Sequence, residues 1–242
     1  VTEADLLAQE AIIAEIRRRF PEHQILTEEA ERALGADVAH RWLVDPLDGT
    51  TNFARGIPYF AVSIALETAG ELQVGVIYDP LGERLFQASV GEGAFLNGER
   101  LHVSNRSELL DALLDLGWAR SQEARLVSLH AAQALLPHVG SARTIGSAAL
   151  GLAAVAAGWE DIYYHSELAP WDMAAGVLLI REAGGVVTAV DGGPWDASAG
   201  GCLASNGLLH EEALRRLADA GGQAENERPC GSPGSLRSSA CA

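Results

Sequence analysis

Residues 147–157 and 173–182 have the apolar spacing of helices but almost no polar face, the first reading Ser-Ala-Ala-Leu-Gly-Leu-Ala-Ala-Val-Ala-Ala. A helix that is apolar all round cannot lie on a surface and must be covered on every side. The chain has the means to do this: 242 residues suffice for one large domain or two intimate lobes. Apolar residues make up 48% and charged residues 21%, the profile of a globular protein.

The other segments divide into two kinds. Residues 3–20 read as an amphipathic helix through Leu6, Ile13, Ile16 and Phe20, with Arg17, Arg18 and Arg19 near its C-terminal end and Pro21 stopping it. Residues 24–40, with Glu28, Glu29, Glu31 and Asp37, read as a polar loop. Strand patterns follow at 42–44, 60–66, 72–78 and 84–88, with hairpin-type turns at 69–71 and 79–82. This predicts an α+β lobe with an antiparallel meander over residues 1–110.

Past a boundary near 106–112, strand patterns at 113–116, 161–164 and 186–190 alternate with helical ones at 125–136, 147–157, 173–182 and 210–219. Gly184-Gly185 stops one helix before its strand. This predicts an α/β lobe over 111–220. Residues 221–242, rich in Gly, Ser, Pro and Glu, read as a disordered tail.

Seventeen basic residues, all Arg, against 33 acidic ones give a net charge of −16. Such a surface repels a nucleic-acid backbone, and the absence of Lys excludes a Lys nucleophile or Schiff base. No apolar run reaches membrane-spanning length, and the start does not resemble a signal peptide. Cys202, Cys230 and Cys241 have no metal-binding spacing, which makes a reducing cytoplasm the expected setting.

The chemistry concentrates in Asp45-Pro46-Leu47-Asp48-Gly49-Thr50-Thr51-Asn52-Phe53, placed directly after a strand. Two carboxylates three residues apart can point at one spot, while Gly49 permits a tight turn into a helical start whose free N–H groups face an anion. Carboxylates beside an anion site call for a cation between them, and oxygen-only ligands suit Mg2+. The same Asp-x-x-Asp-Gly pattern also serves as simple turn capping. Asp172 at the start of an apolar helix and Asp5 behind Thr2 have the same alternative reading as caps.

Together the segments resemble the inositol monophosphatase-like, Mg2+-dependent, lithium-sensitive phosphatases. The resemblance rests on Val1-Thr2-x-x-Asp5, Glu28-Glu29, and Trp42-Leu43-Val44 leading into the block above. It continues through Gly75-Val76-Ile77-Tyr78-Asp79-Pro80, Gly91-x-Gly93-Ala94-Phe95-x-Asn97-Gly98 and Gly146-Ser147-Ala148-Ala149. Pro170-Trp171-Asp172-x-Ala174-Ala175-Gly176 and Glu182-Ala183-Gly184-Gly185 complete it.

The resemblance implies a layered αβαβα fold of the inositol monophosphatase and fructose bisphosphatase type, and phosphate monoester hydrolysis with two or three Mg2+ ions. It implies one ion on Glu28, Asp45 and the Leu47 backbone carbonyl, a second on Asp45, Asp48 and Asp172, and a weak third leaning on Glu28. Glu28 and Thr50 would orient the attacking water, with Asp5 positioning Thr50. Backbone N–H groups of Gly49 and Thr50 would hold phosphate oxygens, and Asp48, Ala148, His165 and Asp172 would meet the substrate. A small phosphorylated alcohol is the expected partner, and a homodimer the expected assembly.

Three departures bear on substrate. The family has another helix ahead of the position matching Val1, so a preceding segment is expected. Inositol-binding members have Glu where this chain has His165, following Tyr163-Tyr164. A neutral imidazole accepts one hydrogen bond and donates one, and a protonated one pairs with an anion; Glu167 is a conceivable replacement for the missing Glu. Residues 117–122 lack the Phe-Pro-type loop of bacterial members. Inositol 1-phosphate is the reference substrate; histidinol phosphate, fructose 1,6-bisphosphate, NADP and adenosine 3′,5′-bisphosphate are the alternatives. A non-catalytic regulatory protein on the same fold is the alternative of another class.

Overall fold

The computed structural model describes residues 2–29, 35 and 37–226. In chain order the elements are α1 (Glu3–Arg19), β1 (His23–Thr27), β2 (Asp37–Asp48), α2 (Thr50–Ala54), β3 (Ala61–Thr68), β4 (Glu71–Asp79) and β5 (Arg84–Ser89). Then come β6 (Gly93–Leu96), β7 (Glu99–Arg100), β8 (Leu113–Leu116), α3 (Gln122–Leu135), β9 (Ser141–Arg143) and α4 (Ala148–Ala156). The chain continues through β10 (Ile162–His165), α5 (Pro170–Glu182), β11 (Val186–Thr188), β12 (Cys202–Ser205) and α6 (His210–Asn226).

The two apolar helices lie between two sheets. Every residue of α4 is buried, as is the run Met173–Ile180 of α5. One sheet has the order β1-β2-β3-β4-β5-β6-β7; the other runs β11-β12-β10-β8-β9. A single core joins Leu43, Ala65 and Ile77 of the first sheet to Leu152 and Val155 of α4, Met173 and Val177 of α5, and Tyr163 and Ala204 of the second. On the outer faces, α1 packs on β1 and β2, while α3 and α6 cover the second sheet through Leu114, Ile162 and Leu203. The result is the layered αβαβα architecture.

The first sheet is a meander of antiparallel neighbours from β2 to β7, with β1 added in parallel. Strand β3 shows why: Ala61, Ser63, Ala65 and Glu67 alternate inward with partly exposed residues. The second sheet is mixed, with β8 parallel to both β10 and β9 and β12 antiparallel to β10 and β11.

Three expectations are corrected. The polar stretch read as loop contains β1, whose Ile25 and Thr27 point inward against α1 and β2. Glu31 lies outside the described residues. Strand β2 runs through Asp48 instead of ending before Asp45, with a shift of register between Asp45 and Asp48. Pro46 has no N–H to give the ladder, and the bulge absorbs it. Helix α6 continues to Asn226, so residues 221–226 are helical; residues 227–242, including Cys230 and Cys241, lie outside the described residues. Among the described residues no helix is long and apolar enough to cross a membrane.

The central layer sits close against the first sheet. A Cβ built on Gly75 of β4 would lie 2.8 Å from the carbonyl oxygen and 3.0 Å from the Cα of Ala175 in α5. These are backbone atoms that cannot rotate away. Gly75→Ala is therefore expected to destabilise the fold by about 1 to 3 kcal/mol in urea unfolding, with m unchanged.

Candidate metal and phosphate site

The bulge at the end of β2 turns two carboxylates toward the start of α5. Asp45, Asp48 and Asp172 each offer an oxygen within 4.8 Å of the other two. Each is held by different groups. Asp45 Oδ1 accepts the Leu47 N–H at 2.9 Å across Pro46. Asp48 accepts the Ser147 hydroxyl and the N–H groups of Ala148 (3.2 Å) and Ala149 (3.0 Å), capping α4 from the opposite sheet. Asp172 Oδ2 accepts the Ala169 N–H at 2.8 Å, so it caps its own helix as well as facing the cluster. Ser63 on β3 donates to the Trp171 carbonyl at 3.1 Å and fixes this helix start against the sheet.

Burial dominates the electrostatics. It pushes the Asp45 carboxyl well above the usual range, with the charges of Asp48, Asp172 and Glu28 adding to the rise. Burial likewise raises Asp48 to about 6, against the hydrogen bonds from Ser147 and the α4 N–H groups. Burial and the Asp48 charge raise Asp172 to about 7. Such a group favours protons or a cation, and its all-oxygen donors suit a hard divalent ion. The residues present fit a divalent cation site.

Next to the cluster, Gly49 takes φ 87°, the left-handed turn expected of it, and a Cβ there would lie 3.1 Å from the Tyr59 carbonyl. The chain then enters α2. Thr50 Oγ1 lies 3.0 Å from the Leu47 carbonyl and 3.2 Å from Asp5 Oδ1. Asp5 is fully buried and also accepts the N–H and hydroxyl of Thr2, so it caps α1 while meeting Thr50. Burial works against its charge, but the hydrogen bonds from Thr2 and Thr50 outweigh it and hold this carboxyl below the usual range.

Glu28 lines the same cavity, of about 650 Å3, without joining the mutual 4.8 Å cluster. Its Oε1 lies 3.5 Å from both terminal nitrogens of Arg120, whose side chain is 89% exposed. Arg120 belongs to the segment whose departure from the family was noted, and nothing in that segment's sequence announced a contact with Glu28.

Ala148 and His165 also line the cavity. His165 Nδ1 accepts the Glu167 N–H at 3.1 Å. Burial, and then the Arg120 charge acting in the same direction, push its pKa down to about 4 despite Glu167. At neutral pH the ring is uncharged with its proton on Nε2, a hydrogen-bond donor. Of the two forms open to His165, this is the neutral one that accepts one hydrogen bond and donates one. Glu167 lines the cavity as well, and its Oε2 accepts the Ser121 N–H at 2.9 Å.

Two further residues escaped the sequence reading. Ser147 stood in a quoted motif, but its bond to Asp48 spans the two sheets and has no local signal. Asn52 donates to the carbonyls of Tyr59 (2.8 Å) and Ile145 (2.9 Å), tying α2 to the loop before α4.

Over residues 1–221 the sequence matches the inositol monophosphatase family. It is 44% identical over 221 residues to the inositol-1-monophosphatase of Mesorhizobium japonicum, covering 90% of this chain and 82% of that protein. It is 42% identical over 219 residues to the Nus factor SuhB of Pasteurella multocida, with the same coverage of 90% and 82%. The structure of an inositol monophosphatase from Anabaena superposes with a TM-score of 0.85 at 43% identity, covering 90% of this chain and 87% of that one. The chain belongs to the inositol monophosphatase family, hydrolases of phosphate monoesters that depend on a divalent cation.

Asp48 and Asp172 bind protons more tightly in the fold, at about 6 and about 7, than at their ordinary value of 3.8. Their contribution to the metal-free fold is full at acid pH and is lost as pH rises through those values. The gain in melting temperature from Mg2+ over chelator should therefore be larger at about pH 8 than at about pH 5. Asp45→Asn should raise the melting temperature of the chelated protein and abolish most of the Mg2+ gain, both read by calorimetry.

Proposed function

We propose that this chain hydrolyses a small phosphorylated alcohol, with inositol 1-phosphate the reference substrate and two or three Mg2+ ions the cofactor. The observation that carries the reading is the carboxylate cluster of Asp45, Asp48 and Asp172 set beside the turn at Gly49 and Thr50. Glu28, Asp45 and the Leu47 carbonyl would hold one ion; Asp45, Asp48 and Asp172 would hold another; Glu28 would lean on a third. Mg2+, when bound, neutralises phosphate charge and makes a water more acidic.

The chain's own groups do the rest. Gly49 and Thr50 present N–H groups for phosphate oxygens at the start of α2. Thr50 donates its one hydroxyl proton toward Asp5 or Leu47, so its lone pairs are directed to accept from a water. Glu28, at the cavity wall, is the acceptor for the proton that water loses. Asp5, ionised and held by Thr2, positions Thr50 and touches no substrate.

The leaving alcohol would lie against Ala148 and His165, with Asp48 and Asp172 toward the phosphate. The Nε2–H of His165 donates where inositol-type enzymes present an acceptor. Polyol oxygens accept such a bond, which keeps inositol 1-phosphate in place while leaving histidinol phosphate, fructose 1,6-bisphosphate, NADP and adenosine 3′,5′-bisphosphate as rivals. We take residues 1–110 and 111–220 as two lobes sharing the cavity, the second supplying Asp172 and the alcohol pocket. A homodimer, lithium sensitivity and a reducing cytoplasm complete the reading, the last fitting the buried thiol of Cys202.

A regulatory role on the same fold is a second reading, favoured by the Nus factor SuhB among the relatives. Phosphate release from the five candidate substrates, with Mg2+ or chelator, separates the two. Release that needs Mg2+ and is lost in Asp45→Asn is expected; none from the folded, Mg2+-loaded chain would sink the phosphatase reading. Thr50→Ala is expected to lower kcat by about 100-fold or more with little change in Mg2+ affinity measured by titration.

A further inference from the structure

The beginnings of β1 and β2 assemble a second group of metal-type side chains. His23 pairs with Asp37 in parallel register, and the next residue, Gln24, pairs with Arg41. Residues 38–40 are thus an excursion on β2, and it returns His40 over His23. The two imidazoles stack with centroids 4.6 Å apart and planes at 13°. Asp37 Oδ2 lies 2.8 Å from His40 Nδ1. One ligand atom from each of His23, Asp37 and His40 lies within 4.8 Å of the other two, and all three residues are half-buried, within reach of solvent ions.

This donor set differs in kind from the all-oxygen cluster. Two imidazoles and one carboxylate suit a borderline ion such as Zn2+, Co2+ or Ni2+ and serve Mg2+ poorly. Ligand atoms around a tetrahedral Zn2+ stand about 3.3 Å apart, so closing the group turns the two rings out of their stack about their own side-chain torsions, with the ligand atoms already within 4.8 Å. Asp37 Oδ1 accepts the Ala39 N–H at 2.9 Å, which fixes one oxygen of the carboxylate and leaves Oδ2 turned to His40.

We infer that His23, Asp37 and His40 form a binding site for a borderline first-row divalent cation, which clips the start of β1 to the start of β2. The site stands apart from the proposed catalytic centre. His23 precedes Glu28 by five residues along an extended segment, roughly 16 Å.

The neighbouring indole supplies a reporter. Trp42 Nε1 donates to His23 Nδ1 at 3.2 Å. A metal on that nitrogen takes the lone pair the indole proton uses. A metal on Nε2 leaves the proton on Nδ1, which then cannot accept. Either mode frees the Trp42 N–H, so occupancy changes its emission.

The test titrates the full chain with Zn2+ in excess Mg2+, following tryptophan emission and Zn2+ stoichiometry, and repeats it with Co2+, following visible absorption. One Zn2+ per chain and the intense Co2+ bands of a four-coordinate nitrogen-oxygen site are expected, both retained in a D45N/D48N double variant. His23→Gln and His40→Gln should each weaken Zn2+ binding by about tenfold or more and remove those bands, with melting in chelator unchanged. Should either fail to fold, Asp37→Asn is read in the same way. Absence of Zn2+ binding in excess Mg2+, binding indifferent to these variants, or binding lost with D45N/D48N would overturn the inference.

Discussion

The carboxylate of Asp48 joins the first sheet to the central helix layer. It stands at the end of a strand in the first sheet, and its oxygens take the hydroxyl of Ser147 and two backbone N–H groups at the start of α4, about a hundred residues further along the chain. A helix N-terminus has unpaired donors and partial positive charge, and a carboxylate answers both. The bulge at Pro46, the left-handed turn at Gly49 and the seat of Thr50 all lie within a few residues of this anchor. It works together with Asn52, which ties α2 to the loop before α4, and Ser63, which holds the start of α5.

Asp5 and Asp45 differ chiefly in how many donors the chain gives each. Asp5 receives three hydrogen bonds, from Thr2 twice and from Thr50, and stays ionised in spite of burial. Asp45 receives one, from Leu47, and burial drives its carboxyl up. The contrast follows from what a buried charge requires: hydrogen bonds, or a cation. The chain satisfies Asp5 from within and leaves most of the Asp45 lone pairs facing the cavity. Unequal satisfaction separates Asp5 from Asp45.

How much of this was legible in the sequence varies with the range of the interaction. The burial of α4 and α5 was plain, because a helix without a polar face has one physical solution. Asp45, Asp48 and Gly49 were also plain, because their spacing is local. Strand β1 was not, since His23, Gln24 and Thr27 give it too few apolar residues to outweigh a polar surrounding, and only packing against α1 and β2 makes it a strand. Pro46 marked a break where the ladder in fact resumes at Asp48. Ser147, Arg120 and the tautomer of His165 depend on partners far away in the chain or on a single backbone N–H, which no periodicity records.

Gly117, just past β8, sits beside His165 at the end of β10, and a Cβ on Gly117 would fall 1.9 Å from Cδ2 of the imidazole. The ring occupies the space that any other residue at 117 would claim. Substitutions at these two positions therefore cannot be taken in either order. A side chain at 117 must wait until 165 is smaller or turned away, whereas 165 is free to change first. Descent from this sequence toward another lining of the cavity has a preferred first step, and the close approach of the two residues sets it.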